Sequence, residues 1–156
     1  MASGDLPSVV AGEIFVSLRT YAKGRKKGVA YHDGIGFAVP EMPSGRESFS
    51  PDTCYYTGPR PANRMRFVEG VPDFAAEVRS ENDYGRAAEA EMAAKRADYF
   101  LAGTLVVWDV DPEAETVTVY RADAPNAPTV FHRGEVADAE PAVPGWRMAV
   151  AEMFAE

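Results

Sequence analysis

The chain has a single cysteine, Cys54, and only two histidines, His32 and His132. One cysteine excludes an internal disulfide framework and fits a reducing cytoplasm. The two histidines stand far apart with no metal-ligand spacing, and are expected in turns or on an edge. No apolar run approaches the roughly 20 residues needed to span a bilayer. Met1-Ala-Ser-Gly-Asp has neither the basic nor the apolar stretch of a secretory signal, so the expected location is cytoplasmic, away from any membrane. Positive charge is also short: 16 Lys and Arg against 24 Asp and Glu give a net charge of −8. That excludes broad, nonspecific attraction to nucleic acid. Gly34-Ile35-Gly36 lacks the third glycine and the following helix of a nucleotide loop.

What is present is one ordinary domain's worth of chain. With 156 residues and 46% hydrophobic content it is long enough to bury a real core, and no linker divides it, so a single domain over 1–156 is expected. Its charge is uneven. Residues 1–68 hold nine Lys and Arg against six Asp and Glu, and the remainder seven against eighteen. Lys23, Arg25, Lys26 and Lys27 close the first helix, and Arg60, Arg64 and Arg66 sit in a loop. The plain reading of the first cluster is compensation of the helix dipole. The sharper one is a phosphate-contacting rim around an acidic centre, with Lys26, Lys27 and Arg64 as candidate nucleic-acid contacts.

From Ser8 to Lys26 the residues Val10, Ile14, Leu18 and Tyr21 recur at helical spacing. Val29 to Tyr31 and Ile35 to Val39, around His32-Asp33-Gly34, predict a hairpin. Phe49 to Tyr56 predicts a strand opened by Pro51. Residues 57–70, with two prolines and three arginines, predict a long exposed loop and a candidate lid. Asp73 to Ser80 alternates, so Phe74, Ala76 and Val78 share one face while Asp73, Ala75, Glu77 and Arg79 share the other. A helix from Tyr84 to Ala102 follows, stopped by Gly103. On it Met92, Lys95 and Tyr99 share one stripe, which turns Lys95 toward the sheet rather than toward Glu91 on the surface. Leu105 to Val110 is the unbroken apolar run of a central strand, Thr116 to Arg121 its antiparallel neighbour, Val130 and Phe131 an added edge, and Val150 to Phe154 a short closing helix. Trp108 and Trp146 are expected in the core, and Cys54 as a small buried filler.

Ionisable groups on one face of a strand between apolar layers look either onto water or into a cleft. A cation such as Mg²⁺ takes hard oxygen ligands, usually one or two carboxylates with substrate phosphate and water. Asp73 and Glu77 lie about 13 Å apart along a regular strand, too far to share one ion. A carboxylate from the neighbouring strand can face Glu77, and Asp52 is the natural supplier. The predicted metal ligands are therefore Asp52 and Glu77, with Lys95 as the catalytic cation and Asp73 a catalytic candidate in a supporting place at the strand's entry. Arg79, two positions beyond Glu77, could steady phosphate charge or contact nucleic acid, but cannot act as a base.

Pro51-Asp52, Pro72-Asp73 with Glu77-Val78-Arg79-Ser80, Lys95 with Tyr99 and Gly103, Val107-Trp108-Asp109-Val110-Asp111-Pro112, Thr116 to Tyr120, and Pro144-Gly145-Trp146 before Ala151 to Phe154 together resemble the Uma-type family of the PD-(D/E)XK nuclease superfamily. The resemblance spans roughly Gly12 to Phe154. It implies a restriction-endonuclease-like α/β fold, with a mixed central sheet flanked by helices (an αβββαβ core with extra C-terminal strands). It further implies Mg²⁺- or Mn²⁺-dependent endonuclease cleavage of DNA and a homodimer. Asp52, Glu77 and Lys95 match the family's two carboxylates and its lysine. Two positions depart from the pattern: Arg79 stands where an apolar residue is usual, and Ala11 where a histidine or other polar residue is. The second change leaves Glu13 as the helix residue that could reach a metal. A nuclease fold without catalysis, serving as a binding or assembly module, therefore stays open as the alternative. A carboxylate glycosidase is disfavoured by the lysine and by the lack of placeable sugar-binding aromatics.

Overall fold

The computed structural model describes residues 2–155. Helix α1 (Asp5–Arg25) buries Val10, Ile14, Leu18 and Ala22, one apolar stripe, against the sheet. It ends at Lys26, whose left-handed backbone closes the last turn by an N–H bond to the Lys23 carbonyl. Strands β1 (Val29–Tyr31), β4 (Thr53–Tyr56), β6 (Phe74–Val78), β7 (Val106–Asp111), β8 (Thr116–Arg121) and β9 (Ala124–His132) form the main sheet in that order. Among the described residues, the one parallel pairing within this sheet is that of β6 with β7. Their crossover is helix α2 (Arg86–Ala102), stopped by Gly103, whose φ of 121° suits no other residue well. A second small sheet holds β2 (Phe37–Ala38) between β3 (Ser48–Phe49) and β5 (Val68–Glu69). The chain closes with β10 (Val136–Asp138), β11 (Arg147–Ala149) and α3 (Val150–Met153).

The elements α1, β1, β4, β6, α2 and β7 are the expected αβββαβ core, and β8 and β9 extend it. The sheet is a mixed central layer because alternation divides its side chains between two cores. Phe74, Ala76, Val78, Val106, Trp108 and Val110 face α1 and the C-terminal segment. Trp108 stacks on Trp146 at 4.9 Å, and Phe74 meets both rings. Cys54, Ala75 and Val107 face α2 and the small sheet, together with Phe37, Phe49 and Tyr99. Each fully buried large side chain contributes on the order of 1.5–3 kcal/mol, so both layers hold β6 rigid.

Two expectations on the strands fail. Val29–Tyr31 and Ile35–Val39 do not form a hairpin: β1 pairs with β4, while Phe37, fully buried, pairs with Phe49 and Val68 in the small sheet. Alternation marked both as strands but carried no information on their partners. Phe49 to Tyr56 is not continuous either. The break at Ser50-Pro51-Asp52 separates β3 from β4, where Pro51 has no N–H for a ladder, and β3 and β4 belong to different sheets. The edge strand β9 runs for nine residues rather than two.

Candidate active site

At the C-terminal end of β6 the sheet opens into a cleft of about 840 Å³. Asp52, Glu77 and Lys95 all line it. Asp52 sits in the break before β4, and its Oδ2 accepts the Val78 backbone N–H at 2.7 Å. Glu77 stands on β6 opposite Asp109 of β7, on the face toward α2. Its Oε1 receives Lys95 Nζ at 2.7 Å and the Tyr99 hydroxyl at 2.8 Å. Lys95 and Tyr99, four residues apart on α2, reach this atom because i and i+4 share a helical face. Tyr99 is fully buried and stacks on Phe49 at 4.3 Å, so its hydroxyl has a fixed direction.

Asp52 is disfavoured as a charged group here. Burial pushes the Asp52 carboxyl up to about 7, and the neighbouring charge of Glu77 adds to the rise. The Val78 N–H and Lys95 oppose that shift, and Asp33 reinforces it. Burial, with Glu77 beside it, also holds the Tyr99 hydroxyl well above its ordinary value, so it stays a donor. Six carboxylates against four cations line the cleft, an acidic wall unsuited to a polyanion unless positive charge is added. Among the described residues no three His, Cys, Asp or Glu side chains gather closely enough to hold a metal ion by themselves. Two carboxylates that each keep one oxygen without a hydrogen-bond donor among the described residues fit an ion such as Mg²⁺, which completes its shell with substrate phosphate and water. The donor set therefore fits a hard divalent cation and not zinc.

Several sequence candidates lie elsewhere. Asp73 does not line the cleft: its carboxylate binds the Thr57 backbone N–H at 3.1 Å and the Thr57 hydroxyl at 2.6 Å at the entry of β6. Arg79 does border the cleft, but its guanidinium is consumed. Its Nε and one terminal nitrogen grip Asp109 at 2.9 and 2.8 Å, and both terminal nitrogens reach Glu89. Bonds from Asp109 and Glu89 hold this guanidinium firmly charged against the cost of its burial. Without substrate, the guanidinium expected to contact phosphate is thus engaged in an internal ion-pair network.

Lys26 and Lys27 precede β1, whose Val29 lies opposite Tyr56, at the end of β4 remote from Asp52. Gly28 belongs to that remote end too, with the Tyr55 ring filling the space a Cβ would take. Residues 57–70, Arg64 among them, leave β4 and return to β6 at the same remote end and line no part of the cleft, so they are not its lid. Glu13 is exposed and lines neither cavity. Ala11 instead borders a second hollow of about 220 Å³ that shares Asp52 with the cleft and is also lined by His32 and Asp33. Asp111, in the matching Asp-Pro pair, ties a turn by accepting the N–H groups of Glu113 and Ala114 and the Tyr84 hydroxyl. Sequence reasoning missed Asp109, Asp98 and Arg46 at the cleft. Asp109 was discoverable as a charge inside an apolar run, whereas Arg46 and Asp98 meet only through the tertiary fold.

A mixed sheet flanked by helices, opening into an acidic cleft with a lysine on its second carboxylate, defines a restriction-endonuclease-like domain. The crystal structure of a putative nuclease belonging to DUF820 from Anabaena variabilis superposes on 99% of this chain and 83% of its own, with a TM-score of 0.78 at 18% identity. At that identity the likeness shows the fold. The chain belongs to the Uma2 family, described as "Putative restriction endonuclease", whose profile matches residues 1–151. No curated protein matches it significantly.

Proposed function

We propose that the protein is a divalent-cation-dependent endonuclease that hydrolyses DNA phosphodiester bonds in the Asp52–Glu77–Lys95 cleft. The observation that carries this reading is the Lys95 ammonium 2.7 Å from Glu77, with Asp52 lining the same cleft. Asp52 and Glu77 would hold Mg²⁺ or Mn²⁺, which when bound lowers the pKa of water and offsets phosphate charge. The Val78 N–H fixes Asp52, and Tyr99 fixes Glu77, so neither carboxylate must reorganise when substrate enters. Lys95, already anchored, presents positive charge where the phosphate gains negative charge on the way to the transition state. The family description and the nuclease title of the structural neighbour support the reaction class. The homodimer expected from the family resemblance is part of the proposal, and light scattering at working concentration would test it.

The deciding experiment incubates purified protein with duplex and single-stranded DNA in Mn²⁺. Cleavage is expected, with loss in Glu77→Ala. Equal cleavage by Glu77→Ala would remove this site from the chemistry. No cleavage by the parent protein, together with no carboxylate-dependent heat in a Mn²⁺ titration, would leave the binding or assembly module.

A further inference from the structure

Four cations line the cleft, and three are already spoken for. Lys95 lies on Glu77 at 2.7 Å. Arg79 is divided between Asp109 and Glu89. Arg96 lies over the Tyr120 ring at 4.0 Å with Asp109 at 3.8 Å. Arg46 is different. Its Nε bonds Asp98 Oδ2 at 2.9 Å, its side chain is 30% exposed, and among the described residues its two terminal nitrogens meet no acceptor.

The placement of Arg46 is built rather than incidental. Ser44 Oγ donates to the same Asp98 oxygen at 2.8 Å, so both ends of the Ser44-Gly45-Arg46 tip between β2 and β3 are fastened to α2. The Phe49 ring supports the guanidinium from below at 5.2 Å. Burial works against the Asp98 charge, but the bonds from Arg46 and Ser44 outweigh it and hold the carboxyl below its ordinary value. Asp98 follows Lys95 by three residues, roughly 4.5 Å along the axis at 1.5 Å per residue and on the same helical face. A guanidinium held at Nε keeps its planar pair of terminal N–H groups as a fork for a second anion, the geometry that suits a phosphate.

We propose that Arg46 is the substrate-backbone contact of the cleft, gripping a non-scissile phosphate of the DNA about one helical turn from Lys95, and that Asp98 is the positioning residue that aims it. This rests on the nuclease reading of the same cleft. It replaces Arg79, Lys26, Lys27 and Arg64 as the residue through which the strand is held at the site.

The test measures binding of a fluorescent duplex and a single strand of equal length by anisotropy across a salt series in Mn²⁺, in a Lys95→Met background that slows turnover enough for binding to be read and keeps both carboxylates. Arg46→Ala is expected to weaken binding about tenfold and to flatten the plot of log K against log salt by about 0.9 for duplex or 0.7 for single strand, the value of one phosphate contact. Arg46→Lys is expected to restore the slope with only part of the affinity. Asp98→Asn, tested with Lys95 present, is expected to raise KM more than it lowers kcat. An unchanged slope and affinity in Arg46→Ala overturns the proposal, whatever happens to its melting temperature, because a merely structural strap would move stability alone. If the parent protein, with Lys95 intact, neither binds nor cleaves either DNA in Mn²⁺, the nuclease reading itself fails, and this contact falls with it.

Discussion

Asp52 Oδ2 accepts the backbone N–H of Val78, the residue after Glu77, at 2.7 Å. This bond crosses from the break before β4 to the end of β6 and brings two carboxylates from different strands into one cleft. It also leaves Asp52 buried beside a like charge, with its carboxyl pushed up to about 7. Because the folded value lies above the unfolded one, the protonated form is the one that folding favours. The resulting stabilisation is complete below the unfolded value near 3.8 and is lost as pH rises through about 7.

The first prediction follows from that sign. Without divalent cation, Asp52→Asn should match the parent near pH 4 and exceed it in stability at pH 8, measured by urea midpoints at each pH. Added Mn²⁺ should reverse the order at pH 8, because only the parent gains binding energy, about 2.7 kcal/mol at a hundred times Kd. A parent as stable as Asp52→Asn at pH 8 without cation would mean that Asp52 is not strained by its neighbours.

Lys95 and Tyr99 hold the same oxygen of Glu77 but should not be equivalent. Lys95→Met removes positive charge facing the reacting phosphate and should lower kcat by about 10²–10³. Tyr99→Phe removes only the orienting hydroxyl and should weaken the Mn²⁺ dependence by about tenfold with a smaller effect at saturating cation. Rates measured across a cation titration separate the two, and identical profiles would contradict the division of labour.

Arg79 is expected to serve stability rather than substrate, because its guanidinium is held by Asp109 and Glu89. Its side chain is 11% exposed and that of Asp109 is 9%, so truncating the arginine strands a buried carboxylate that keeps only Arg96 at 3.8 Å. Arg79→Ala should cost about 3 kcal/mol in denaturant unfolding. Replacing both partners, as Arg79→Met with Asp109→Leu, should recover much of that loss. A full-strength Arg79→Ala protein with impaired DNA binding would restore the phosphate role that the sequence suggested.

The difference between what the sequence reveals and what it hides follows from range. The stripe of Val10, Ile14 and Leu18, the alternation of Phe74 to Val78 and the run Val106 to Val110, apolar but for Asp109, are local patterns, and each marks its element because burial selects side chains at the element's own period. Glu77 and Lys95 are legible for a related reason: Glu77 stands in a row of ionisable side chains on one face of a strand flanked by apolar layers, and Lys95 interrupts the Met92–Tyr99 stripe. Strand partnership is not local. Nothing in Val29–Tyr31 says that it pairs with Thr53–Tyr56 rather than with Phe37, so the two ends of the sheet could not be told apart. The basic residues were therefore gathered by charge when the fold sends Lys26 and Lys27 to the end remote from Asp52. Arg46 meets Asp98 across 52 residues of sequence, beyond the reach of any periodicity.

Asp73, a catalytic candidate from the sequence, lies at the entry of β6 and does not line the cleft. Its two oxygens hold Thr57, the first residue after β4, and the Asp73 backbone N–H donates to the Tyr55 carbonyl at 2.9 Å. The side chain thus closes the β4–β6 pairing at its remote end, while Asp52 and Glu77 lie at the other. Asp73→Asn keeps a carbonyl oxygen that can still take one of the Thr57 donors, so it should cost about 1 kcal/mol in stability, the value of one bond. Cleavage and Mn²⁺ affinity should stay within about twofold of the parent, as expected for a substitution outside the cleft. A loss of cleavage of a hundredfold in Asp73→Asn at unchanged stability would place a third carboxylate in the chemistry and require β6 to shift toward its own entry when substrate binds.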